Sequence, residues 1–340
     1  MQKRTKTLLR LALGVVAGVA ALTVAALLYC VPMPGQSFQG APPRLIPSEA
    51  EVAARLREHV TRLSVDIGQR RAVFGDSLLR AERYLQEQLA EPAKATGASI
   101  RREALRDAPG NPANLVLDLP GTQVGPLVLI GAHYDTDQHG TRGANDNGSG
   151  TAAALVLADR LARSRHTLPI RIVFFANEEQ PYYAGPGMGS LQHAQGCQKR
   201  GEQLRAMLSL ETMGYYSDEP GSQKYPAPLS LVYPDRGNFI AFVGDLGSRS
   251  LLREVIGRFR THARIPSEGG ALPASLPGVG WSDHWSFWQA GYPAIMVTDT
   301  ALFRDPTYHR SSDIAANLDY ERLARVVVAL EQVIRELSRG

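Results

Sequence analysis

The chain has 340 residues, 44% of them apolar, a composition that builds a substantial core and excludes disorder as the default state. Its formal charge of +4 sits in the first ten residues, where Lys3, Arg4, Lys6 and Arg10 meet no acid; beyond them the two signs balance, so nucleic acid is not an expected partner. Two cysteines, Cys30 and Cys197, exclude a disulfide framework and a Cys-rich metal site, and the neighbours of Cys197 carry no nucleophile signature.

Residues 1–10 read as a basic cytoplasmic tail. Leu11 to Val31 carries no charge and ends at Pro32, which suits a transmembrane signal-anchor helix. The basic flank precedes it, so the N-terminus is expected in the cytoplasm and the rest of the chain outside, in periplasm or medium. A cleaved signal has a shorter apolar region and a small-x-small site, which Leu27-Leu28-Tyr29-Cys30 lacks. Residues 32–47, rich in Pro, Gly, Ser and Gln, read as a linker, and 48–340 as one catalytic domain.

Within that domain Ser48-Glu49-Ala50-Glu51 reads as a capping box with Ser48 as N-cap. A second helix is expected from Asp76 or Ser77 to Leu89. Strands are expected over Ser99–Leu105, Leu115–Leu119, Pro126–Ala132, Ile170–Ala176, Arg205–Leu210 and Ala294–Thr298. Helices are expected over Gly150–Ala162, Met188–Gln198, Asn238–Arg264 and Tyr320–Ser338, the last with Leu323, Val326, Val327, Leu330 and Ile334 on one face. This alternation predicts an α/β domain: a mixed, mostly parallel central sheet with helices on both faces.

Chemistry-bearing residues cluster just after the predicted strands. The first buried strand runs into His133-Tyr134-Asp135, the next into Asn177-Glu178-Glu179, the third into Glu211. Between the first two, Asp146 lies in a Gly-rich turn that opens a helix. In open α/β sheets ligands bind beyond the carboxyl ends of the strands, so these segments can converge. His nitrogen and carboxylate oxygen are zinc donors. Asp146, short and in a tight turn, is the natural carboxylate to bridge two ions, and Tyr308-His309-Arg310 offers a second imidazole.

The motifs HYD, GANDNGSG, FFANEE, LSLETMGYYSD, SDHWSFW and YHRSSD, in that order, resemble those of the co-catalytic zinc exopeptidases. That superfamily includes bacterial di-zinc aminopeptidases, glutamate carboxypeptidases and glutaminyl cyclases. The resemblance covers about Leu115 to Leu337. It implies two zinc ions, one held by His133, Asp146 and Glu211, the other by Asp146, Glu179 and His309. It further implies Glu178 as general base, Asp135 orienting the His133 ring, and peptides as substrates. One position departs: many family aminopeptidases have Asp where this chain has Glu211.

His139 and Arg142 read as solvated loop residues, His166, His193 and His262 as packing or surface residues, and Asp283 as a partner of the site rather than a ligand. The aromatics near the motifs, Trp281 and Tyr215 among them, suit a pocket wall or core equally. An aminopeptidase is the leading expectation. A glutaminyl cyclase, a non-catalytic ectodomain of the same fold, and a carboxypeptidase or dipeptidase stand beside it. Nothing in the sequence sets an oligomeric state.

Overall fold

The structure, a computed structural model, describes residues 2–72 and 75–339, with side chains from Ala12 onward. Helix α1 (Gln2–Cys30) contains Ala12–Cys30, a stretch long and apolar enough to cross a membrane and almost wholly uncovered by the rest of the chain. After it come α2 (Pro47–Thr61), a π-helical turn over Arg62–Ile67, and α3 (Ser77–Thr96). Strands β1 (Ile100–Ala104), β2 (Ala113–Leu119) and β3 (Leu127–His133) follow. Then α4 (Gly148–Ala162), β4 (Ile170–Phe175), α5 (Gly189–Lys199) and β5 (Leu204–Leu210) alternate. The rest is β6 (Ile240–Gly244), α6 (Arg249–His262), β7 (Ser267–Ala271), α7 (His284–Gln289), β8 (Ala294–Thr298) and α8 (Tyr320–Leu337).

The eight strands form one mixed sheet in the order β1-β2-β4-β3-β5-β8-β6-β7. Its middle, β4-β3-β5-β8, is parallel, while β1, β2 and the β6–β8 pairing are antiparallel. Strand alternation sorts the core into two layers. Val128, Ile130, Ala132, Ile172 and Leu208 face the layer of α2, α3, α4, α6 and α8, and Leu129, Val173, Phe175 and Met207 face that of α5 and α7. Burial on both faces explains why β3 and β4 are buried at every position and read as largely apolar runs, with Arg171 of β4 paired to Asp118 and Glu202.

Three expectations are corrected. Helix α2 starts earlier than Ser48: Pro47 is its first residue, where a fixed φ costs nothing, and Glu49 rather than Glu51 accepts the Ile46 N–H, at 3.0 Å. Helix α3 runs past Leu89 to Thr96, and Gly97, at φ 68°, ends it. The helix expected over Asn238–Arg264 is instead β6 followed by α6. A five-residue apolar run fits either period, and pairing with β8 and β7 decides for strand.

Residues 32–46 hold no helix or strand but lie along the domain. Arg260 donates to the carbonyls of Met33, Pro34 and Gly35, Ser267 N–H bonds Ser37 Oγ at 2.8 Å, and Arg325 donates to Pro43 O at 2.6 Å.

Helices α2 and α3 meet at a buried polar pair, His59 Nδ1 and the Tyr84 hydroxyl, 2.6 Å apart. Burial pushes His59 down to about 4 from its usual 6.5. The unfolded chain therefore takes up the proton more readily. This contribution to stability is whole above pH 6.5 and is lost as pH falls toward 4, on the order of 3 kcal/mol in all. Urea unfolding of the full chain in detergent at pH 7 and pH 4 is expected to show a smaller acid loss for His59→Gln than for wild type.

Candidate metal centre

The carboxyl ends of β3, β4 and β5 lie side by side in the sheet, and the residues just past them meet at its rim. His133 ends β3 with its ring wholly buried. Its Nε2 is 2.8 Å from Glu211 Oε2, 3.4 Å from Asp146 Oδ1 and 3.9 Å from Glu178 Oε2. On the far side of Asp146, Oδ2 is 3.0 Å from His309 Nε2, which is 3.4 Å from Glu179 Oε2. Asp146 thus stands between the two imidazoles, one oxygen toward each. All seven residues singled out from the sequence converge here.

Each is held by its local chain. Asn147 caps α4, its Oδ1 accepting from Gly150 N–H at 3.0 Å, while its Nδ2 donates to Leu210 O at 2.8 Å. Gly150 is pressed so close to β5 that a Cβ there would lie 2.1 Å from Leu210 O. This close approach, not turn freedom, is what the last glycine of GANDNGSG serves, and it brings the Asp146 turn beside Glu211. Asn177, at φ 59°, takes the left-handed conformation just past β4. Asp135 then accepts the N–H groups of both Glu178 and Glu179, each at 3.1 Å, and lies 3.4 Å from His133 Nδ1. Ser282 donates to Glu211 at 2.9 Å.

The sequence reading missed four groups. Asp313 accepts the N–H of Asn145 (2.8 Å) and of Asp146 (3.0 Å), fixing the bridging turn from the opposite end of the chain. Asp299 accepts from Asn145 Nδ2, the Thr212 hydroxyl and Tyr215 N–H. Asp137 joins Glu179 and His309 in one cluster of donor atoms and hydrogen-bonds exposed His139. Arg70, fully buried, donates to the carbonyls of Tyr134, Arg142 and Gly143 at 2.7–2.9 Å. Asp313 closes YHRSSD and Asp137 lies two residues past HYD, so both lay next to a visible signal; Arg70 had none.

The other histidines are placed as expected. His193 pairs with Glu103 at 2.6 Å, His262 with Glu336 at 2.7 Å, and His166 Nε2 lies 2.8 Å from Leu161 O. Arg142 is exposed. Cys197 is buried, its thiol pushed up to about 12 by desolvation. Asp283 is buried behind the site and lifted to about 7 by that burial.

The electrostatics of the cluster are those of a cage short of positive charge. Burial alone would strip His133 of its proton, yet Glu211 and Glu178 hold it well above its ordinary range. Burial raises Glu178 well above a usual carboxylate, with Glu211, Asp283 and Asp135 adding to it. Glu179 is raised in the same way, by burial and then by Asp146 and Glu178. His133 Nε2, both Asp146 oxygens, Glu179 Oε1 and His309 Nε2 are buried without hydrogen-bond partners. Such atoms are costly unless a cation joins them. Donors at 2.0–2.1 Å from one tetrahedral ion stand about 3.4 Å apart, which matches the separations around Asp146. Nitrogen and carboxylate donors suit zinc, so the residues fit a resident metal.

Beside Glu211 and Tyr308 a pocket opens over β6 and β8, with Trp281 at its wall.

Fold and cluster together are those of the co-catalytic zinc exopeptidase superfamily. The chain belongs to peptidase family M28, whose sequence model matches residues 114–334. It is similar to YfbL, an uncharacterized protein of Escherichia coli K12, at 36% identity over 80% of this chain and 84% of that one. A probable leucine aminopeptidase of Arthroderma otae is 26% identical over 71% of this chain, which spans only 60% of that relative's length. Among solved structures, the LapA aminopeptidase of Legionella pneumophila has a TM-score of 0.66 at 20% identity, covering 89% of this chain and 78% of that one. The glutaminyl cyclase of Tannerella forsythia has 0.60 at 19% identity, covering 83% and 98%. At these identities the likeness is one of fold.

Arg70 tests how the rim is held. Arg70→Met takes the guanidinium donor from the Tyr134, Arg142 and Gly143 carbonyls and is expected to cost about 2 kcal/mol. Urea unfolding measures it, and a midpoint within error of wild type would remove Arg70 from this role.

Proposed function

We propose that this protein is a membrane-anchored aminopeptidase that removes N-terminal residues from peptides outside the cytoplasm with two zinc ions. The observation that carries the reading is Asp146 set between His133 and His309, one carboxylate oxygen toward each buried, unpartnered Nε2. In this reading His133, Asp146 and Glu211 hold one ion, and Asp146, Glu179 and His309 the other. When bound, such a pair supplies Lewis acidity to the scissile carbonyl and to an attacking water.

The rest is the work of side chains. Glu178 projects into the same rim, 3.9 Å from His133 Nε2, and accepts the proton of the water as it attacks. A carboxyl raised by burial then releases that proton to the leaving amine. Asp135 holds the two glutamates in register through their N–H groups and orients the His133 ring, as carboxylates behind metal-binding imidazoles do. Glu211 is longer than the family's common Asp. Hydrogen bonding from Ser282 steadies that longer arm. Leucine aminopeptidases among the relatives support action at the amino end.

The anchor belongs to the same proposal. Residues 1–10 stay in the cytoplasm, Ala12–Cys30 spans the bilayer, residues 32–47 tether, and 48–340 carry the chemistry. The apolar side chains of α1, such as Leu13, Val16, Val19 and Leu22, are more than half exposed, as in a helix that lipid covers.

Two measurements test the reading. Metal analysis of the purified full chain is expected to return two zinc ions, with chelation abolishing cleavage and zinc restoring it. Glu178→Gln is expected to keep the metal while lowering kcat by about 10²–10⁴ on aminoacyl amides. Pyroglutamate release from Gln-initiated peptides in place of hydrolysis would assign a cyclase instead.

A further inference from the structure

The cavity beside Glu211 has a sheet for its floor. Register places Ala241 opposite both Thr298 and Glu268, and Val243 opposite both Met296 and Gly270, so these six side-chain positions share one face. Glu211 N–H bonds Val297 O, next to Thr298. Glu211, Thr298, Ala241 and Glu268 therefore run in a line across neighbouring strands. Three strand spacings separate the ends, about 14 Å between backbones. Two glutamate side chains and one long side chain between them fill that distance.

The lining is mostly apolar, and its only charged residues, among those described, are Glu211 and Glu268. Two tyrosine rings, Tyr225 and Tyr233, stack at 5.6 Å in its wall. Their hydroxyls are tied to Pro234 O and Gly269 O, each at 2.7 Å, which leaves ring faces for an occupant. Burial raises both phenols, and Glu268 lies close enough to add to that. Among the described residues no hydrogen bond or ion pair reaches its carboxylate. Arg260 acts on it only from a distance, across β7. Gly269, which alternates with Glu268, faces Ile256 of α6, and the Arg260 guanidinium donates to Ser267 and to three carbonyls of residues 33–35.

We infer that this cavity receives the side chain of the residue to be removed, and that Glu268 selects a long basic one, lysine or arginine, by pairing with its terminal cation. The inference rests on the aminopeptidase reading above. A mostly apolar pocket that carries a carboxylate and two aromatic rings on its wall matches a methylene stem ending in a cation. A purely apolar side chain would instead bury the Glu268 carboxylate further with nothing to pair it, which is unfavourable. Burial already holds that carboxyl above its ordinary range, and a bound cation reverses the shift in favour of binding.

The test compares lysine, arginine, norleucine and leucine p-nitroanilides with the full-length zinc-loaded protein, wild type and Glu268→Gln. Wild type is expected to favour lysine over norleucine in kcat/KM, and Glu268→Gln to cut that ratio by roughly 10–100-fold. A wild type that prefers norleucine or leucine, or a ratio unmoved by Glu268→Gln, overturns the inference. A readout independent of turnover accompanies it: the rise in Tm with L-lysinamide against L-norleucinamide. If no anilide is cleaved, the peptidase reading fails. The two amides still decide the pocket, since equal Tm shifts, or a lysinamide shift that survives Glu268→Gln, count against it.

Discussion

Too many carboxylates around too few positive charges is the condition from which this site follows. Asp146, Glu178, Glu179 and Glu211 are brought beside two imidazoles in a buried rim, and several of their oxygens have no protein partner. An arrangement this unfavourable on its own persists because the surrounding backbone over-determines it. Asp135 grips the two N–H groups past β4, Asp313 those of the Asp146 turn, Arg70 three carbonyls behind it, and Gly150 locks α4 onto β5. The fold holds the repulsion in place, and the donor set left over fits a resident metal.

The same sheet divides the labour. Its parallel middle, buried on both faces, is a rigid base whose strand ends aim donors at one rim. Over its distal half, β8-β6-β7, lies the pocket lined by Glu211 and Glu268. Chemistry and selectivity are thus built from one continuous surface, with Glu211 at the junction. Residues 32–46 lie along α6 and β7, the edge that bears Glu268, so the path from the apolar N-terminal helix leads past the selective end of the pocket.

The sequence by itself carried the side chains that meet at the rim, because His, Asp and Glu beyond apolar runs are local signals and their order is characteristic of a superfamily. His133, Asp146, Glu178, Glu179, Glu211 and His309 were all legible in this way, as were β3, β4, β5 and β8, whose burial on two faces writes itself as runs dominated by apolar residues. Only the tertiary structure decided the rest. Ile240–Gly244 is a strand because β8 and β7 flank it, a fact no five-residue window contains. Asp313 and Asn145 are 168 positions apart, and Arg70 reaches carbonyls more than sixty residues away, so their roles exist only once the chain is closed. Glu268 lies in SEGGA, a stretch with neither strand periodicity nor motif. Its meaning comes from register across three strands, which is a property of the sheet and not of the segment.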